Sequence, residues 1–516
     1  MYRWVFSWRM FRVYLFLAIC LATLIGLFYG VENWRGARAR QAYAEQTRTR
    51  PGPRTWQEII PPPVPDSDNF AMTPFLAPLF DYIHTSGPDK NRVRDTNAFS
   101  RAQGFAKAFP NISNIHRWQS ARAVDLAEWL DDYHKAIEKR DGKTDGHVSA
   151  NATNAAQVAA AVLEALKPVD GILDELKSAS LRPKSRFNLR YDEENPWGIL
   201  IPHLAVLRNA AQLNQMRALA ELRLNQPDKA LEDLKFSLRL ADSMRDEPFV
   251  ISQLVGISIV HHTLQIVWEG CLGRRWSAEQ LESIEESLSR LNFLAAVDRS
   301  LAAERIASFI TIDQLRNGPN RAELWAALGI GDAPLISLFP NGWLDLEFVN
   351  VNRWLDEMGA ALDAPGKRIH SQLSDNAQKH FEKSSAPGPS ALFRHELMSR
   401  ALVPGITDVL TKVAHAQNSV AIARIACALE RYRQADGHYP PTLNELVPRY
   451  LAVMPIDVLT GEPFHYRRSA NDHFVLYSVG WNGKDDGGAI PTAKKGTSRN
   501  DLREGDWVWE YPVSKG

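Results

Sequence analysis

From Val13 to Val31 the chain reads VYLFLAICLATLIGLFYGV, without a charged residue. At about 1.5 Å of rise per residue, a helix of that length matches a hydrocarbon core of roughly 30 Å. The pattern therefore predicts a transmembrane helix at 13–31 behind a basic start at 1–12. Arg3, Arg9 and Arg12 precede it while Arg35, Arg38 and Arg40 follow it, so charge alone does not orient the span. FYGVENWRG offers no small-x-small cleavage site, which favours an uncleaved anchor over a signal peptide. No second apolar stretch of that kind follows, so a single span is expected.

Residues 32–66 change character. RGARARQAYAEQTRTR continues the helix as a polar stalk, and Pro51, Pro53, Pro61, Pro62, Pro63 and Pro65 then impose extended geometry, making a spacer. The apolar residues of NFAMTPFLAPLFDYI suggest that its far end docks onto the body.

Helical periodicity dominates 67–383. Leu204, Leu207, Ala211, Ala218 and Leu222 recur at helical spacing and predict one buried stripe. Asn225 and Pro227 break the run, and a second helix follows with Ala230, Leu234, Ser237 and Ala241 on one side. So short a joint predicts an antiparallel hairpin. Ser277 and Gln280 in WSAEQLESIEESLSRL have the spacing of a capping box, in which side chain and backbone amide satisfy each other reciprocally. The glycine-, proline- and aromatic-rich stretch 318–345 predicts an exposed loop or groove lid, and SSAPGPSA within 384–402 a linker.

The last segment, 403–516, predicts a small α+β unit. Ile422, Ile425, Leu429 and Tyr432 mark a long helix, Gly437 its left-handed stop, and Thr442 with Glu445 a second capping box. FHYRR, FVLYSVG and WVWEYPV read as strands. The fold class expected for the whole chain is mainly α: an N-terminal transmembrane helix, an irregular helical-hairpin array and a helix with a small antiparallel sheet.

Composition narrows the chemistry. Lys+Arg and Asp+Glu balance at 60 each, which argues against nucleic-acid binding by bulk charge. Cys20, Cys271 and Cys427 lie too far apart in sequence for a thiolate metal motif. There is no phosphate-cradling glycine loop, dinucleotide fingerprint or nucleophile elbow. RHELMSR carries Ser399 where a zinc-protease helix needs its second histidine. His261 and His262 are adjacent, so on a helix they point about 100° apart and do not face one metal; they are expected as core or interface residues. Asp131 with Asp132, and Glu193 with Glu194, are acidic pairs with no fixed partner, read as solvated faces. No catalytic residue is assigned.

Two resemblances sharpen these expectations. AELRLNQPDKALEDLKFSLRLA is similar to the centre of a tetratricopeptide repeat, with Ala230, Leu234 and Ser237 at its small and bulky packing positions and Asn225 where glycine is usual. No second copy follows at the same period. ALERYRQADGHYPPTLNELVPRYL, MPIDVLTGEPFHYR, FVLYSVGWNGKDDGG and DLREGDW, in that order, resemble the globular domain of the major pseudopilin of type II secretion. That resemblance implies a calcium site in the glycine-aspartate loop, where oxygen ligands suit a hard cation. Carried over by position, Asn482, Asp485 and Asp486, with Asp501 and Asp506 downstream, are the candidate metal ligands. Residues 489–500 intervene between the two acidic clusters, and no pilin leader precedes the apolar run.

The resemblance implies a fold that works outside the cytoplasm. It places the chain in a bacterial inner membrane, crossing once, with the body extracytoplasmic. The expected function is a membrane-anchored envelope scaffold or interaction protein associated with a secretion or surface-export assembly. Its expected partners are the bilayer through the N-terminal helix and envelope proteins through the helical body, with no nucleic acid. The alternative is an envelope hydrolase with its active site in the helical domain, near 318–345.

Overall fold

The computed structural model describes residues 8–50, 53, 55–83, 92–107, 118–141, 154–191, 196–328, 339–363, 368–384, 395, 408–469, 472–490 and 501–512. The longer helices are α1 (Trp8–Thr47), α2 (Thr96–Lys107), α3 (Leu126–Asp141), α4 (Ala155–Ala179), α5 (His203–Arg223), α6 (Pro227–Asp242), α7 (Val250–Leu272), α8 (Ala278–Ser289), α9 (Phe293–Asn317), α10 (Asn341–Ala360), α11 (Ser371–Ser384) and α12 (Val409–Asp436). The strands β1 (His465–Ser469), β2 (His473–Ser478) and β3 (Trp507–Glu510) form one antiparallel sheet in that order. Register pairs His465 with Tyr477 and Ser478 with Trp507. The mainly α fold with a small C-terminal α+β part is as the pattern predicts.

The α5–α6 hairpin forms where expected. Asn225 adopts φ 58°, the left-handed conformation that ends a helix sharply and that asparagine tolerates better than most non-glycine residues. Its side chain accepts a hydrogen bond from Arg275 at 2.9 Å. Ala230, Leu234 and Ser237 are buried against α5, and Asn214 donates to Ser237 Oγ at 2.8 Å. The single stripe expected on α5 is an understatement. The helix is buried nearly all round, because α2, α4, α6 and α7 surround it. Its polar positions survive burial by being paired: Arg217 spans both carboxylate oxygens of Asp233, at 2.6 and 2.9 Å, and also reaches Asp174.

Helix α7 is apolar and long enough to cross a membrane, but most of it is buried inside the protein. Length and hydropathy do not separate a core helix from a span; burial does.

The capping box at Ser277 and Gln280 is present in both directions. The one expected at Thr442 is not, since Leu443–Leu446 is a short 3-10 turn without a side-chain cap; Glu445 instead accepts from Tyr432 at 2.9 Å. Gly437, at φ 78°, ends α12 as predicted.

The C-terminal segment is not separated from the helical body by packing. One hydrophobic core runs from Trp56 to Tyr511. α12 lies against α7, α8 and α9 on one side and against β2 and β3 on the other. Trp268 of α7 donates to the Glu510 carbonyl at 3.0 Å, and the Trp118 and Trp509 rings meet at 5.4 Å. Most of the 384–402 stretch read as a linker lies outside the described residues, as do Glu193, Glu194 and 329–338 of the loop read as a lid.

Candidate functional site

The loop that carries the candidate metal ligands is held by its own backbone. Gly480, at φ 69°, comes so close to the Gly505 carbonyl that a Cβ there has no room, which joins the loop to the downstream acidic stretch. Across that join, the buried carboxylate of Asp506 accepts from the amides of Asp486, at 3.2 Å, and Gly488, at 2.7 Å. Asp485 accepts from the Gly487 amide at 2.8 Å and from Tyr477 Oη at 3.1 Å. Asp486 pairs with Lys484 at 3.0 Å, and Asn482 Oδ1 accepts from the Lys484 amide at 2.9 Å. Asp501 accepts from the Arg503 amide at 3.1 Å.

The Gly487 amide, with the Tyr477 hydroxyl, holds the Asp485 carboxyl below the usual range. Burial raises that of Asp506, opposed by its two amides and reinforced by the neighbouring Asp485 and Asp486 charges. The fold thus brings Asp485, Asp486 and Asp506 together. Their oxygens serve the turn, and among the described residues no group of three or more His, Cys, Asp or Glu is placed to hold a metal ion. Arg503, downstream of the loop, reaches Asp375 on α11 at 2.5 Å and Asp408 at 3.0 Å and lies over the Trp481 ring.

His262 is buried in the core as expected, and His261 meets His415 of α12 at 3.1 Å. The Trp507 ring stands edge-on to His415, 4.9 Å away. This pair couples α7 to α12 and the sheet.

The junction of α1 with the body has more of the features of a functional site. α1 is one continuous helix of 40 residues, and its two parts have opposite surroundings. From Trp8 to Val31 the large apolar side chains are exposed, Phe16 at 65% and Leu24 at 63%. From Glu32 onward the helix lies on α10. The stretch expected to be a stalk is therefore helical through Thr47, but it is docked along the body. The reason is a pair of glycines: a Cβ on Gly36 would overlap the Gly342 backbone, and one on Gly342 would overlap the Glu32 carbonyl. Close backbone approach brings polar partners into register. Asn33 Oδ1 accepts from the Gly342 amide at 2.9 Å, and Glu32 Oε2 accepts from Trp343 Nε1 at 3.0 Å.

Further along, Asp345, almost wholly buried, receives Arg40 and Arg316, each at 2.9 Å. Asp356 accepts from Tyr43 Oη at 2.8 Å and from Arg305 at 3.0 Å, and Arg50 also bonds to it. Burial together with the Asp356 charge pushes the Tyr43 phenol up to about 12. Beside these residues a cavity of about 650 Å³ opens between α1, α9 and α10, walled by Leu301, Phe309 and Phe348 with Arg305 and Asn352. His395, from the RHELMSR stretch, packs on Trp343 and its Nε2 lies 3.0 Å from an Arg35 Nη. Burial, and then the Arg35 charge, lower His395 to about 4, so at neutral pH it is an uncharged strut.

The sequence reading missed this junction. The signals were present, as a glycine on an otherwise polar helix and a second in NGWLD, but they sit about three hundred positions apart. The chain matches no family model, no curated protein and no solved structure.

Proposed function

We propose that the protein is a single-pass, membrane-anchored scaffold of the bacterial envelope, whose body is held extracytoplasmically at a fixed angle to the bilayer. The observation that carries this reading is the division of α1 into an exposed apolar half and a docked polar half. Soluble monomers rarely expose contiguous apolar patches beyond a few hundred Å², and burial is worth about 25 cal/mol per Å² of apolar surface. A bilayer removes that cost for Trp8 to Val31. Because the helix does not break before docking, the body has no loose tether. Such rigidity suits a protein that presents a surface to other envelope components more than one that only needs to stay near the membrane.

Two measurements test the reading. The full chain should stay in the membrane fraction after alkaline carbonate washing, and removal of residues 8–31 should release it; release of the intact protein would defeat the anchor. Gentle cross-linking in cells should then join the body to envelope proteins of an export assembly. A protein that stays solitary under those conditions is no scaffold.

A further inference from the structure

Buried carboxylates in this protein are typically matched by cations. Asp233 has Arg217 and Lys177, Glu269 has Arg223, and Asp345 has Arg40 and Arg316. Burying such a charge without a counter-ion is costly, and pairing is the usual solution. Glu304 on α9 has no such partner. It is 8% exposed, receives the Val250 amide, and has no charged neighbour among the described residues.

Glu304 also lines a cavity of about 250 Å³. The other walls are aromatic or aliphatic: Trp56, Trp197, Phe249, Ile251 and Ala307 are among them. Both indole N–H groups are already used inside the protein, Trp56 on the Tyr191 carbonyl at 3.1 Å and Trp197 on Thr311 Oγ1 at 2.9 Å. The indoles therefore offer a ligand their π surfaces and no donor. Aromatic faces attract cations through the ring quadrupole, most strongly where water is excluded. An apolar chamber with several rings and one unmatched carboxylate has the composition of a receptor for an organic ammonium ion.

We propose that the cavity between Trp56, Trp197, Phe249 and Glu304 binds a small molecule carrying an ammonium group on an apolar stem. The ammonium stands where Asp233, Glu269 and Asp345 have a basic side chain, and the stem fills the aromatic walls. This site lies outside the anchor junction and does not depend on the scaffold reading.

Without ligand, burial pushes the Glu304 carboxyl up to about 8, so it is largely protonated at neutral pH. No other titratable side chain is among the described residues that line the cavity, and Glu247, near the start of α7, is engaged by His203 and Ser252. Binding an ammonium must expel the carboxyl proton, so affinity rises with pH until Glu304 is ionised. Between about pH 6.5 and pH 8.5 the expected gain is roughly 25-fold.

The test uses the full chain in detergent and follows tryptophan fluorescence and calorimetry with phenethylammonium and, as a neutral analogue of similar shape, 2-phenylethanol. At about pH 8.5 the ammonium should bind roughly tenfold more tightly or better. Glu304→Gln should abolish that preference, and Ala307→Phe should block both compounds by filling the space. A melt of each variant confirms that it is folded; should Glu304→Gln not fold, the pH dependence on the unaltered chain carries the test. Equal binding of the two compounds, a pH-independent preference, or no binding of phenethylammonium at millimolar concentration would each overturn the proposal.

Discussion

The α1–α10 junction and the C-terminal loop are both rich in carboxylates, yet they use them differently. At the junction, Asp345 and Asp356 face guanidinium groups of other elements: Arg40 of α1 and Arg50 just beyond it, about three hundred positions away, and Arg316 and Arg305 of α9. In the loop, Asp485 and Asp506 face backbone amides within about twenty residues. A carboxylate matched to a distant cation holds two elements together, whereas one matched to nearby amides shapes a single turn. Clustered aspartates drew attention in the sequence, and isolated ones turned out to join α1 to the body.

The strongest way to break this comparison is to remove a junction carboxylate. Asp345→Ala leaves Arg40 and Arg316 without their shared partner in a largely desolvated site. The expected cost is about 3–5 kcal/mol, read by denaturant titration of the full chain in detergent, with new protease sensitivity between residues 32 and 50. A cost below about 1 kcal/mol would mean that the junction is held by something else.

The glycine approach is the next test. Gly36→Val drives a branched side chain into the Gly342 backbone and should destabilise docking by about 2–3 kcal/mol. Gly30→Val, on the same helix but in open space, should change stability little. Similar effects from the two would sink the close-approach argument.

A graded effect comes from carboxyls that have neither cation nor a full set of amides. Glu304 and Glu221 are both pushed up to about 8, chiefly by burial, from an unfolded value near 4.5. Between those values the folded state holds protons that the unfolded state has released, so stability falls as pH rises from about 5 to about 8. The melting temperature should drop by about 2–5 °C over that range, and Glu304→Gln should flatten the slope. A melting temperature that rises with pH across the window would contradict the burial of these groups.

The loop should respond least. Asp506→Ala strands the Asp486 and Gly488 amides and should cost about 1–3 kcal/mol, with hydrogen exchange increasing around 480–490 and not at the junction. Calcium sharpens the contrast further. A loop whose carboxylates serve only the turn should give the full chain the same melting temperature in calcium and in chelator. A calcium-dependent rise that disappears in the Asp485→Ala, Asp486→Ala double variant would reassign the loop as a cation site that rearranges on binding.

Much of the local structure was legible because it depends on neighbours in sequence. The Ser277 capping box, the Gly437 stop, the α5–α6 hairpin and the three strands each follow from a pattern a few residues long. The Thr442 box failed for the same kind of reason, since the segment after it is too short a turn for reciprocal capping. Nothing local marked Glu304 as different from the surface glutamates around it in sequence.

By itself, the sequence determined the mainly α class, the apolar first segment and the positions where helices start and stop, because backbone sterics, capping and hydrophobic periodicity act over one or two turns. Only the tertiary structure decided that the polar half of α1 docks, that α7 is core and not a second span, that the C-terminal sheet shares one core with the helices, and which carboxylates meet cations. Those outcomes depend on distances between residues hundreds of positions apart, and on the burial that sets the cost of leaving any one of them unmatched.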